Sequence, residues 1–166
     1  EGQGGLFGGP EGGTATLSLR TVPSWRLGER LAREREAFGF YFSGHPVEAQ
    51  AAVLDAYGVV PSADVMERRG SPDNGRQPVM MAGLVEDHRW RTPMGKGPDR
   101  RFLLVDLSDA AGSWSASCFA ADCHTDLVEA CARGTPLLLW AELSWRDADE
   151  APRIAIVGLA PLSDVA

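Results

Sequence analysis

At residue 78 the apolar residues of this chain change their period from that of helices to that of strands, and strand-like runs, interrupted by one helical stretch, continue nearly to the end. Side chains of a strand point alternately to opposite faces, so the switch commits the second half of the chain to a sheet with one buried face. Five runs are readable. The first, Val79 to Arg91, is long enough to bend, and Gly83 is the expected bulge or kink. Arg101 to Leu107 and Trp114 to Ala120 follow, with a turn at Asp109-Ala110-Ala111-Gly112. Asp122 to Arg133 has helical spacing, with Asp122 as its cap, Leu127, Val128 and Cys131 on the apolar side and Gly134 as its stop. Leu137 to Trp145 and Arg153 to Val157 complete the set, joined by the acidic turn Asp147 to Ala151.

Three strands, a helix, then two strands, with a long bent first strand, is the order of the five-stranded Greek-key barrel called the OB-fold. The expected fold class is therefore mainly β: an OB-fold barrel over residues 76–166. A small helical segment over 23–75 and a disordered glycine-rich linker over 1–22 precede it. Seven glycines among the first thirteen residues define that linker. They are not a phosphate-cradling loop, because no strand precedes them and no Lys-Ser/Thr follows. In the helical segment Pro23-Ser24-Trp25 opens a helix with Ser24 as cap, Leu27, Leu31, Glu34 and Phe38 share a face, and Gly39 stops it. Pro46 suits the first turn of a second helix, with Val47, Ala51, Leu54 and Tyr57 as its buried stripe and Gly58 as its end. Val59 to Arg69 holds one short helical turn, and Gly70 to Gly75 reads as a boundary.

Sixteen Lys and Arg against 23 Asp and Glu give a net charge of −7, which excludes a protein that coats nucleic acid by bulk charge. A local basic strip is compatible with it, and Lys96 is the one lysine among the sixteen. Arginine suits bidentate phosphate contact. Three cysteines, Cys118, Cys123 and Cys131, form no disulfide framework and point to a reducing cytoplasm. The longest apolar run, Pro136 to Ala141, is far too short for a membrane span, so no membrane partner is expected. The chain opens in a linker without methionine, as a piece of a longer polypeptide does.

An OB-fold is a binding module whose ligand lies across the middle strands, between the loops after strands one and four. The basic cluster of the barrel, Arg89, Arg91, Lys96, Arg100 and Arg101, falls in and around the first of those loops. Alternation assigns Leu103, Val105 and Leu107 to the core and turns Phe102 and Leu104 outward, with Trp114 beside them, as surfaces on which a base can stack. The opposing reading is that Phe102 and Trp114 finish the barrel's packing; Asp147, Asp149 and Glu150 in the loop after strand four favour it by repelling phosphates. Cys118, Cys123, His124 and Cys131 lack zinc-knuckle spacing and read as small packing residues. Asp109 reads as a turn former rather than half of a carboxylate pair with Asp106, and His45 as a turn residue. No nucleophile and base are paired, so no catalytic residue and no cofactor is expected in this segment.

The linker carries Gln3-Gly4-Gly5-Leu6-Phe7, two apolar side chains with no core nearby. Such a pair either enters a partner's pocket or folds back onto its own domain. This hook, then Trp25, then Glu36-Ala37-Phe38-Gly39-Phe40-Tyr41-Phe42-Ser43-Gly44-His45-Pro46, then a barrel opening Met81-Ala82-Gly83, resembles the bacterial replicative DNA polymerase III alpha subunit, C-terminal to its polymerase core. The resemblance implies that Gln3, Leu6 and Phe7 bind the ring-shaped sliding clamp. It also implies that the barrel meets single-stranded template through Arg89, Arg91, Lys96, Arg100, Arg101 and Phe102, and that the rest of the polymerase III holoenzyme is a partner. The catalytic carboxylates of such a DNA-directed DNA polymerase would lie upstream. The barrel alone also fits an anticodon-binding module or a protein-interaction domain without nucleic acid.

Overall fold

The computed structural model describes residues 24–166; the linker expected over 1–22, with Gln3, Leu6 and Phe7, lies outside them. Five strands form a closed barrel in the order β1-β2-β3-β5-β4: β1 (Gln77–Arg91), β2 (Phe102–Asp109), β3 (Gly112–Cys118), β4 (Leu137–Ser144) and β5 (Arg153–Pro161). The length of β1 is what closes it. Its first half, from Gln77 to Gly83, pairs antiparallel with β4, and its second half, from Leu84 to Arg91, pairs antiparallel with β2. Gly83 sits at the handover, where a Cβ would stand 3.3 Å from both the Leu107 side chain and the Ser108 carbonyl oxygen. The bulge itself falls three residues later than expected, between Val85 and Asp87. Gly83 permits the close approach, while Glu86 is the residue left over by the register shift. β3 and β5 meet in parallel at Ser117↔Ala155 and Cys118↔Ile156.

β5 runs four residues beyond the expected Val157, because Gly158 to Pro161 continue to pair with β4 despite their turn-like composition. The barrel interior is filled by the alternate residues that the sequence pattern marks: Leu103, Val105 and Leu107 from β2, Leu137, Leu139 and Leu143 from β4, and Met81 from β1. Between β3 and β4 the chain makes a 3₁₀ turn, Ala121–Cys123, and a helix, His124–Arg133, that closes one end of the barrel with Leu127 and Ala130.

Upstream lie α1 (Leu27–Phe38), α2 (Ala51–Ala56) and α3 (Ser62–Glu67); the helix His124–Arg133 is α4. α1 starts at Arg26 as its N-cap, without a side-chain cap bond, so Ser24 does not cap it; Gly39 ends it at φ 78°. Pro46 opens a 3₁₀ turn, Pro46–Gln50, ahead of α2, within a capping box formed by His45 and Glu48. A 3₁₀ turn has three residues per turn rather than 3.6, and it shifts the phase of the stripe behind it. Val47 and Val53 are buried, whereas Ala51 and Tyr57 are exposed and Leu54 is half-buried. Val47 and Val53 pack on the outside of the barrel against Ala82, Leu138 and Leu162, a second apolar cluster that joins the helical segment to β1 and β4. Among the described residues no helix is long and apolar enough to cross a membrane.

Candidate nucleic-acid interface

Strand pairing sorts the expected site residues into two ledges. Arg91 stands opposite Phe102 and Arg89 opposite Leu104, while Leu104 in turn faces Ser117 of β3. Since Leu103 and Val105 fill the core, Arg89, Arg91, Phe102, Leu104 and Ser117 share the outer face. Phe119, one residue past β3, continues that face. Its ring stacks on Phe102 at a centroid distance of 4.6 Å and an interplanar angle of 30°, and it remains 62% exposed. Trp90 has the opposite phase to Arg89 and Arg91. The Arg101 guanidinium lies 4.2 Å from the centre of its ring, and the His124 ring meets it edge-on at 4.9 Å. His124 is held in place by a hydrogen bond between Nε2 and the Cys118 carbonyl, 2.9 Å. The loop 92–101 joins the two ledges and carries Lys96 and Arg100, both exposed.

The electrostatics of the outer face are graded along β2. Asp106 accepts from Arg89 at 3.1 Å and from the Ser115 hydroxyl at 2.5 Å, so Arg89 is partly neutralised. Asp87 stands opposite Asp106, and one step further Glu86 accepts from Ser108. The cationic and aromatic end is therefore next to the loop 92–101, and the other end is carboxylate and hydroxyl. Among the described residues Arg91, Lys96, Arg100 and Arg101 form no ion pair. A polyanion with stackable bases fits the first end and is repelled from the second.

Trp114 does not belong to this face. It is 5% exposed and packs in the barrel core opposite Leu107, against the close approach at Gly83. Trp114, Ala116 and Cys118 are the inward phase of β3 and Ser113, Ser115 and Ser117 the outward one. Trp90 and Phe119 take the place that the sequence reading gave to Trp114. Phe119 had a signal, since it continues the outward phase of β3; Trp90 had none, because its phase is opposite to that of Arg89 and Arg91 and it is exposed only where the strand leaves the barrel.

The other candidate residues serve the structure. Asp109 accepts from the Ser62 amide and hydroxyl, each at 2.7 Å, and from the amides of Ala111 and Gly112 at 2.9 and 3.0 Å. It thus shapes its own turn and holds the start of α3. His45 Nδ1 accepts from the Val47 amide, which leaves the proton on Nε2 to reach Ser108 Oγ at 2.9 Å. Burial pushes the His45 imidazole below its usual range, against the opposing pull of Asp109, Glu86 and Glu48. Burial raises the Cys118 thiol to about 12 and lifts Cys123 and Cys131 as well, so these thiols are protonated at neutral pH. Among the described residues no three His, Cys, Asp or Glu side chains converge as a metal cage.

No family model matches the chain. Seven relatives, all named DNA polymerase III subunit alpha, match the chain. That of Caulobacter vibrioides is 32% identical over 113 residues, covering 68% of this chain. That of Deinococcus radiodurans is 31% identical over 140 residues, 82% of this chain. That of Mycobacterium leprae is 46% identical over 57 residues, 33% of this chain. The matched stretches are 9%, 10% and 5% of those proteins, so the chain spans about a tenth of their length or less.

Proposed function

Over this stretch the chain belongs to the bacterial DNA polymerase III alpha-subunit family, and from that premise we propose that it is a non-catalytic, C-terminal segment of a replicative DNA-directed DNA polymerase. In this reading it works in the cytoplasm, within the polymerase III holoenzyme. The barrel holds single-stranded template, and the hook Gln3, Leu6 and Phe7 binds the sliding clamp. The catalytic step belongs to the part of the polypeptide outside this chain.

One observation carries the template role: Arg91, Phe102 and the exposed Phe119 form one continuous strip, flanked by Arg101 over Trp90 and by the loop with Lys96 and Arg100. Stacking and unpaired cations side by side are the two components of single-strand binding that is indifferent to sequence. The clamp role rests on the hook: a short apolar anchor on a tether keeps an enzyme near its ring at high effective concentration.

The test is fluorescence anisotropy with a labelled oligo-dT at 50 and 200 mM salt. Single-strand binding loses about 0.7 log units in affinity per log unit of salt for each phosphate contact. Four contacts, one each for Arg91, Lys96, Arg100 and Arg101, predict a loss of about 50-fold over that range. Binding that is absent at 50 mM salt, or insensitive to salt, rejects the template role and leaves a protein-interaction barrel. A clamp pull-down comparing the chain with Leu6→Ala/Phe7→Ala tests the hook; equal retention rejects it.

A further inference from the structure

The aromatic block that follows α1 does not enter a core. Phe38, Phe40 and Phe42 pack on one another, with Phe42 edge-on to Phe38 at 5.0 Å and to Phe40 at 4.6 Å, and they stay 60%, 55% and 58% exposed. Trp25 is 54% exposed. Trp25, Phe38 and Phe42 line a groove of about 480 Å³ along α1, whose rim carries Arg30 and Arg33 beside Glu34 and Glu36. That volume is within the range of sites that receive small ligands, and an apolar patch of this kind on a protein surface marks an interaction site. The groove is preformed. Glu34 accepts from the amides of Phe42 and Ser43 at 2.7 and 3.0 Å and from the Ser43 hydroxyl, which fastens the loop back onto α1 and fixes Phe42 beside Phe38.

We infer that this groove binds the chain's own Leu6-Phe7 pair, so that the hook exchanges between the groove and an external partner. Two observations select this occupant. Seventeen residues separate Phe7 from Trp25, and a glycine-rich chain of that length has an r.m.s. span of roughly 20–25 Å, which gives a local concentration on the order of millimolar. Leu6 and Phe7 supply adjacent aliphatic and aromatic groups for a groove walled by aromatic rings. Groove binding stands on these points alone. Its regulatory consequence rests on the clamp reading proposed above: an unoccupied clamp competes with the groove, and the hook is kept from other apolar surfaces until a clamp is present.

The test is NMR on the ¹⁵N-labelled full chain, with the Trp25 indole resonance assigned by Trp25→Phe. Leu6→Ala/Phe7→Ala is expected to shift the Trp25 indole and the amides of residues 38–42, and a peptide of residues 1–10 added at millimolar concentration is expected to reverse the shift. The shift should be independent of protein concentration and should vanish when Phe42→Ser, an exposed position, is already in place. Resonances unmoved by the hook substitution overturn the inference, as does a shift that fades on dilution, which assigns the groove to a second copy of the chain. Clamp titrations form a separate arm: Phe42→Ser should raise clamp affinity severalfold, and an unchanged affinity removes the competition. Should no form of the chain bind clamp, the clamp reading fails while the NMR arm still decides the groove.

Discussion

Phe119→Ala and Arg91→Gln act on different quantities, and that separation is the sharpest test of the interface. Phe119 is exposed beyond its stack on Phe102, so alanine removes a platform and leaves every charge in place. Base–aromatic stacking contributes about 1–3 kcal/mol per base, which is a factor of about 5 to 150 in Kd. The logarithmic salt slope should not move. Arg91 has no carboxylate partner among the described residues and stands opposite Phe102. Its loss should lower the slope by about 0.7, from about 2.8 to about 2.1, and should weaken binding most at low salt. Arg89→Gln should change the slope less, because Asp106 already holds that guanidinium at 3.1 Å. The assay is oligo-dT anisotropy at four salt concentrations for each variant. If Phe119→Ala leaves Kd within twofold of wild type, or if it alters the slope as much as Arg91→Gln does, the stacking argument is wrong.

Three further outcomes concern the support behind the face. Asp109→Ala leaves the Ser62 amide and hydroxyl without an acceptor, and Ser62 is buried; a loss of about 2–4 kcal/mol is expected. A double-mutant cycle with Ser62→Ala in thermal melts checks it, and additive losses refute the pairing. His45 is held below its usual pKa by burial, so the unfolded chain takes up the proton first; stability should fall as pH drops from 7 through the ordinary imidazole range. Calorimetry at pH 7 and 5.5 reads the change, and His45→Gln should flatten it. Gly83→Val forces a branched side chain against Leu107, the Ser108 carbonyl and Trp114. Overpacking of about 1–3 kcal/mol should lower the midpoint by roughly 3–10 °C, and an unchanged midpoint refutes the close approach.

The barrel was legible because its strands are half-buried, which writes an alternation into the sequence that a one-residue slip would destroy. Leu103, Val105 and Leu107 are in the core for that reason. The end of β5 was not, since Gly158 and Pro161 have the composition of a turn and are held in the strand by pairing with β4 alone. The stripe on α2 was misread by a phase, because nothing local says that the turn after Pro46 is 3₁₀. Of the interface, the charged positions follow from their place in the loop and strand ends, whereas the aromatic partners depend on which face each ring takes. Trp114 was placed by proximity to the groove in sequence, while Trp114, Ala116 and Cys118 already show the inward phase. Phe38 was placed on one face of α1 with Leu27 and Leu31, and no pattern in α1 announces that its ring stays outside while Leu31 is buried.

β2 explains why the helical segment and the interface belong to one unit. Its outward residues succeed one another as Phe102, Leu104, Asp106 and Ser108, with Asp109 closing the strand. The first stacks on Phe119, the third restrains Arg89, the fourth meets His45 and Glu86, and Asp109 holds Ser62 at the start of α3. A shift of β2 along its axis would therefore disturb the cationic and aromatic ledge and the anchor of the helical segment together. The same order sets the sign of the field, with cations where bases can stack and carboxylates where the helices dock. Under the proposed template role, the net charge of −7 would restrict an incoming phosphate chain to the cationic end, since excess carboxylates elsewhere on the molecule repel it.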